Sequence, residues 1–260
     1  MYPRYLPKVQ IIALLLIGVL LLFLPLPYSV IAPGPTTNLL NGPIAVAPSL
    51  LPAAGTHGES STKTSGALLS LTVFVTTPDA PLTATDLAAA WMRGDEMVLP
   101  KEILYPHHEK SSQAGAQSKA EMDSSSKSAI AAVSGFLHRD IPTSDVTVKL
   151  RDTGGPSAGL AFALALVAKI DRPQLFAKHT IAATGTINSD GAVGAIGGID
   201  QKLIGAHRSK AEAVFIPADN CVDITRTPRD LLVIPVSSLS QAVAILGAYS
   251  RTRIQSLPHC

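Results

Sequence analysis

The stretch Gly154-Gly155-Pro156-Ser157-Ala158-Gly159, followed at once by the apolar run Leu160 to Val167, decides how this chain reads. Adjacent glycines relax the backbone, Pro156 presets a helical φ suited to a first helical turn, and Ser157 falls where unpaired N–H groups and the positive end of a helix dipole gather. A hydroxyl placed there can be asked to become an alkoxide, or it can serve as a helix cap and nothing more. The apolar run itself predicts a buried helix that ends before Pro173.

A second stretch, Gly194-Ala195-Ile196-Gly197-Gly198-Ile199-Asp200-Gln201-Lys202-Leu203, reads as a glycine-rich turn entering a helix. On a helical wheel Ile199, Leu203 and Ala206 share a stripe, Lys202 borders it, and Gln201 and Arg208 point away. A lysine in that place either snorkels its ammonium to water or is desolvated by Ile196, Ile199 and Leu203. An amine near 10.4 that must be neutral at about pH 8 needs roughly 3 kcal/mol of such destabilisation.

Together the two stretches resemble the proteolytic domain of the Lon family, in which a serine in a Gly-Pro-Ser-Ala-Gly turn is paired with a lysine in an Ile-Gly-Gly-x-x-x-Lys segment. The resemblance runs from about Val146 to Asn220, through Thr184-Gly185-Thr186-Ile187, Asp190-Gly191-x-Val193-Gly194 and Ala206-His207-Arg208. It implies that Ser157 is the nucleophile, Lys202 its general base and Thr184 a hydroxyl that helps hold the lysine. Because Pro156 has no N–H, donors to an oxyanion would come from Ser157 and from Gly155, Gly154 or a neighbouring segment. The fold implied is α+β, a single domain with a mixed sheet and packed helices. The implied activity is that of a serine endopeptidase on polypeptides, working in a homo-oligomeric ring, commonly a hexamer. Many Lon enzymes carry an acidic residue where this chain has Gly154, so no acidic group is carried over.

The same letters also satisfy the Gly-x-Ser-x-Gly nucleophile elbow, with Asp190 or Asp219 and His207 or His259 as partners. An elbow turns sharply off its strand, whereas five residues separate Leu150 from Pro156, and Lys202 would have no task. A third reading is a membrane-tethered scaffold that binds peptides without cutting them.

The remaining chain sets the context. Its 260 residues are 47% hydrophobic with a net charge of +2, ample for a core and without the basic runs of a nucleic-acid binder. Gly191, Gly194 and Gly197 are not spaced as a dinucleotide fingerprint, and no Gly-x-x-x-x-Gly-Lys-Ser/Thr segment occurs. The reading therefore expects no nucleotide, no other cofactor and no metal, with activity indifferent to ATP. His107-His108-Glu109 reads as a solvated loop within the polar stretch Tyr105 to Ser126.

Leu6 to Leu26 supplies about the twenty apolar residues needed to cross ~30 Å of hydrocarbon. Arg4 and Lys8 precede its apolar run Val9 to Leu24 and no charge follows until Glu59, so the domain is expected outside the cytoplasm behind one uncleaved span. The expected divisions are 1–31 stub and membrane anchor, 32–66 Pro/Gly/Ser-rich tether in which Ile44 to Leu51 has enough apolar residues to pack or pair locally, 67–140 amino-terminal part of the outer domain, 141–250 catalytic core and 251–260 tail. Ala67 to Thr76 reads as a strand, Thr83 to Met92 and Ser128 to Leu137 as helices, and the chain then passes to a strand at Val146 without room for the PDZ module of many membrane-bound relatives. Strands are expected over Thr180–Ile187, Ala213–Ile216 and Leu231–Val236, with a closing helix over Ser238–Tyr249. Cys221 and Cys260 are expected to stay reduced.

Overall fold

The computed structural model describes residues 8–51, 66–107, 109–149, 154–249 and 259–260. In chain order the elements are α1 (Lys8–Leu21), β1 (Tyr28–Asn38), β2 (Ile44–Val46), β3 (Ala67–Val75), α2 (Ala84–Arg93), β4 (Met97–Pro100), α3 (Lys101–Leu104), α4 (Ser111–Leu137), β5 (Val146–Val148), α5 (Gly159–Ile170), β6 (Thr180–Ala183), β7 (Thr186–Ile187), β8 (Val193–Gly194), α6 (Ile199–Arg208), β9 (Ala213–Pro217), β10 (Leu232–Val236) and α7 (Leu239–Tyr249). They form two compact units, one from Met1–Ala32 with Phe74–Ala114 and one from Pro33–Val73 with Gly115–Cys260. The divisions expected at 66/67 and 140/141 do not fall on these limits, because β3 and α4 each begin in one unit and end in the other.

In the larger unit, β10, β9, β6 and β3 lie side by side in parallel pairs, Leu232 opposite Ala213, Ile181 opposite Ala213 and Ala67 opposite Thr180. Alternation along these strands explains how both faces are filled. Leu68, Ile181, Ala183, Phe215, Ile234 and Val236 join the core around α5, α4 and α7, whereas Leu69, Leu71, Ala182, Val214, Ile216 and Val233 pack with Ile199, Leu203 and Ala206 of α6. A sheet covered on both faces is what near-continuous apolar strands predict. Helix α5 is the pivot, since every residue in it except Lys169 is buried. Its many alanines let the neighbours come close, as they must around a helix with no solvent face.

The smaller unit builds its own cluster. Thr83 and Asp86 close a capping box on α2 and Gly94 ends it in the left-handed region. Leu87 and Ala90 then pack with Val30, Leu26, Tyr28, Leu82 and Val98, beside the antiparallel pairing of Tyr28–Ile31 with Met97–Pro100.

Several expectations are corrected. Among the described residues the apolar amino-terminal helix α1 has 14 residues, about 21 Å at 1.5 Å per residue. Pro25 and Pro27 stop it, and Leu26 bridges Leu82 instead. Among the described residues no helix is long and apolar enough to cross a membrane; Arg4 and Leu6 lie outside them. The expected tether starts as structure, because Pro33–Asn38 belongs to β1 and Leu39 and Leu40 are buried, while Ile44 to Leu51 packs as its apolar residues allow, with β2 paired to β5 and Ile44 and Leu50 buried. Residues 52–65 of that stretch lie outside the described residues. The expected polar loop and short helix before Leu137 are one helix, α4, whose buried face runs Met122, Ser125, Ala129, Ile130, Ala132 and Val133. Serines and an isolated methionine hid that helical period from a hydrophobicity reading. His107, in a turn, and Glu109 both precede α4, His108 lies outside the described residues, and no metal-binding cluster occurs among the described residues. Finally, Cys221 and Cys260 are not reduced but joined in a disulfide, with Cys260 N–H donating to Val233 O at 3.2 Å. Most of the tail between, residues 250–258, lies outside the described residues.

Candidate Ser–Lys site

The site gathers at the carboxyl end of β6, where parallel sheets commonly place chemistry. Thr184 follows the strand directly, and its N–H still donates to Phe215 O at 3.0 Å, so its side chain is set by the sheet. Gly185 comes next at φ +156°, a conformation that L side chains rarely adopt, and a Cβ there would sit 3.0 Å from Val193 Cγ1. That turn lets Gly185 N–H donate to Ser157 O at 2.8 Å while Gly185 O accepts from Leu160 N–H at 3.0 Å. The Ser157 segment is thereby stitched to the end of β6. Helix α5 begins two residues later at Gly159, so Ser157 stands just ahead of the helix and is half-buried.

Lys202 arrives from the other face of the sheet, on the first turns of α6. Gly198 caps that helix from the left-handed region, φ +66°, which only glycine adopts readily, and Lys202 N–H donates to Gly198 O. The side chain is 2% exposed, and its Nζ donates to Thr184 Oγ1 at 3.2 Å. Thr184 Oγ1 in turn donates to Ser157 O at 3.1 Å. One threonine hydroxyl therefore links the amine to the serine's own backbone. Burial pushes the Lys202 amine down from 10.5 to about 7, because the charged form loses its hydration. The structure draws no hydrogen bond between Ser157 Oγ and Lys202 Nζ among the described residues, as in many resting sites that tighten only around substrate.

Further partners of Ser157 were not legible in advance. Gly155, at φ +82°, donates its N–H to Ser118 O at 2.8 Å, so that N–H is engaged rather than turned toward an incoming oxyanion. Ser125 Oγ donates to Pro156 O at 2.9 Å. Among the described residues the N–H groups of Ser157 and Ala158 have no acceptor. A side chain at Gly154 would collide with Ser118, its Cβ 2.6 Å from Ser118 Cβ. Asn220 clamps the approach to α6: its Oδ1 accepts from Ile196 N–H at 2.9 Å and its Nδ2 donates to Ile196 O at 3.0 Å. Gln201, expected to face outward, is buried because α6 packs on a second side, Gly205 close to Gly34 O and Ser209 Oγ 2.9 Å from Thr36 Oγ1.

Among the described residues no hydrogen bond joins Asp190 or Asp219 to His207. Asp190 is exposed and accepts from Ala192 N–H within its own turn, Asp219 is exposed on the short 3-10 helix Ala218–Asp223, and His207 is exposed on the last turn of α6. What the structure links is the Ser157 backbone, a threonine hydroxyl and a desolvated amine. The profile of the Lon protease (S16) C-terminal proteolytic domain matches residues 111–246. The chain belongs to that family. Similar proteins include the Lon protease of Aster yellows witches'-broom phytoplasma, 41% identical over 33% of this chain and 11% of the relative, and that of Clostridium beijerinckii, 33% identical over 46% and 15%. Lon protease 1 of Sorangium cellulosum is 40% identical over 40% and 14%. The chain thus spans no more than about a seventh of the length of these relatives.

Thr184→Val tests the threonine's part. Valine keeps the shape but leaves Lys202 Nζ without its acceptor, and a base misplaced by about 1 Å can cost roughly 100-fold. The expected result is a kcat lowered by about that factor with KM little changed, read from steady-state kinetics. An unaltered kcat removes Thr184 from the site.

Proposed function

We propose that this chain is a serine endopeptidase that hydrolyses peptide bonds of polypeptides through Ser157 and Lys202, without nucleotide. The observation that carries this reading is Lys202, an amine 2% exposed and pushed to about 7, joined through Thr184 to the backbone of Ser157. Neutral Lys202 takes the Ser157 proton as Oγ attacks the scissile carbonyl. The new oxyanion meets the N–H groups of Ser157 and Ala158. Lys202 then gives its proton to the leaving amine, and a water molecule, deprotonated by the same lysine, releases the acyl group.

The wider setting is part of the proposal. Helix α1 leaves Val9, Leu15, Leu16 and Leu20 exposed, and a helix apolar all round fits attachment to a membrane. The Cys221–Cys260 disulfide supports a site outside the reducing cytoplasm. Membership of the Lon proteolytic-domain family extends the proposal to assembly with further copies of the chain.

A fluorophosphonate probe added to the full chain in detergent tests the reading. Labelling at Ser157, located by peptide mass mapping and abolished in Ser157→Ala, is the expected result. A chain that never labels, with or without peptide present, is a scaffold and not an enzyme.

A further inference from the structure

The two neighbouring serines on α4 behave differently. Ser126 Oγ donates to Met122 O, the carbonyl one turn back, at 3.0 Å, which is the local bond a helical serine usually makes. Ser125 forgoes the local bond. Its hydroxyl, on a side chain 5% exposed, crosses to Pro156 O at 2.9 Å. The space is kept open at the far side too, since a Cβ on Gly159 would lie 2.8 Å from Ser125 Oγ. Two turns earlier on the same helix, Ser118 O accepts from Gly155 N–H.

The carbonyl that Ser125 holds is half of the peptide whose other half is Ser157 N–H. No cis peptide bond occurs among the described residues, and in a planar trans peptide C=O and N–H point opposite ways. Fixing the Pro156 oxygen therefore fixes the direction of the Ser157 N–H, and Pro156 itself adds no N–H that could compete. Gly159 N–H also reaches Pro156 O, but at 3.3 Å. We propose that Ser125 is a positioning residue of the reaction centre: by anchoring the Pro156 carbonyl it turns the Pro156–Ser157 peptide so that Ser157 N–H receives the oxyanion. The inference rests on the peptidase reading above. Ser125 touches no reacting atom. Its contribution appears where negative charge develops on the substrate oxygen, not where the ground-state peptide binds.

The experiment compares the full chain with Ser125→Ala and, as a control, Ser126→Ala. Alanine is a better helix former than serine, so folding is not expected to suffer greatly from propensity, and thermal unfolding with fluorophosphonate titration of active sites fixes the folded fraction. Each protein is measured for kcat and KM on a peptide, for the Kd of a peptide boronate whose tetrahedral adduct with Ser157 presents an anionic oxygen, and for the Kd of an amide-capped peptide of the same sequence. Removing a whole oxyanion donor costs about 100- to 1,000-fold, so loosening one is expected to lower kcat by about 10- to 100-fold. The boronate Kd rises by the same factor in Ser125→Ala, while KM and the capped-peptide Kd stay put and Ser126→Ala matches the parent. If Ser125→Ala keeps kcat per active site and boronate Kd, this inference falls and the peptidase reading stands. If boronate and capped-peptide affinities fall together, Ser125 supports the fold or the substrate groove and the inference is overturned. A parent chain that neither cuts peptide nor binds boronate overturns both.

Discussion

Lys202→Arg in the full chain is expected to abolish peptidase activity, with a loss of about 10,000-fold or more, matched by Ser157→Ala. The size follows from two residues acting as one unit: without a base the hydroxyl stays protonated, and without the hydroxyl the base has nothing to activate. The double substitution should accordingly cost little more than either single one. Arginine keeps a cation at the position but does not release its proton, so it separates basicity from charge. In the parent, activity rises with pH through about 7, the value to which burial brings Lys202, because only the unprotonated amine accepts the serine proton. His207→Ala, on an exposed residue, should keep most activity. Steady-state rates across pH on these proteins decide the matter, and a Lys202→Arg chain that still cuts peptide at a substantial rate sinks the mechanism.

How much of this was legible depended on whether the signal was local. Ser157 and Lys202 announce themselves through glycine turns, since Gly198 at φ +66° is needed where α6 starts and Gly185 where the chain leaves β6. The strands of the larger unit show as apolar runs because both their faces are buried. The part of α4 before Ser128 did not show, because its inner face offers only Met122 and Ser125 and the rest is mostly Ser, Gln, Lys and Ala. Only the fold reveals that two of its serines hold the Gly155–Pro156 turn. Likewise the strand content of residues 33–46 lay behind Pro, Gly and Thr, which disfavour a strand reading one residue at a time but are accepted where β3 and β5 provide partners. Gln201 was misplaced because a wheel gives one apolar stripe, whereas α6 is gripped on a second side by the close approach of Gly34 to Gly205. The disulfide joins residues 39 apart in sequence, and spacing alone gives no distance.

Lys202→Met is expected to stabilise the protein while silencing it. Burial lowers the amine from 10.5 to about 7 in the folded chain, whereas in the unfolded chain it titrates at about 10.4. Below the folded value both states carry the proton, and the folded state bears the whole cost of a buried charge, up to about 5 kcal/mol at 1.36 kcal/mol per pKa unit. Between about 7 and 10.4 the unfolded chain binds a proton that the folded chain lacks, so the parent gains stability as pH rises through that window. Methionine has a similar unbranched length and no charge, and suits an apolar pocket. It gives up the bond to Thr184, worth about 1 kcal/mol, although the Thr184 hydroxyl still has Ser157 O to donate to. The net gain should be about 2 to 4 kcal/mol at about pH 6, a rise in Tm of about 5 to 10 °C for a chain of this size, shrinking nearly to nothing by about pH 10. Calorimetric scans of parent and variant across that range read it directly. A variant that melts below its parent at about pH 6, or a difference that stays constant across the window, would mean that Lys202 is not held desolvated in the folded protein.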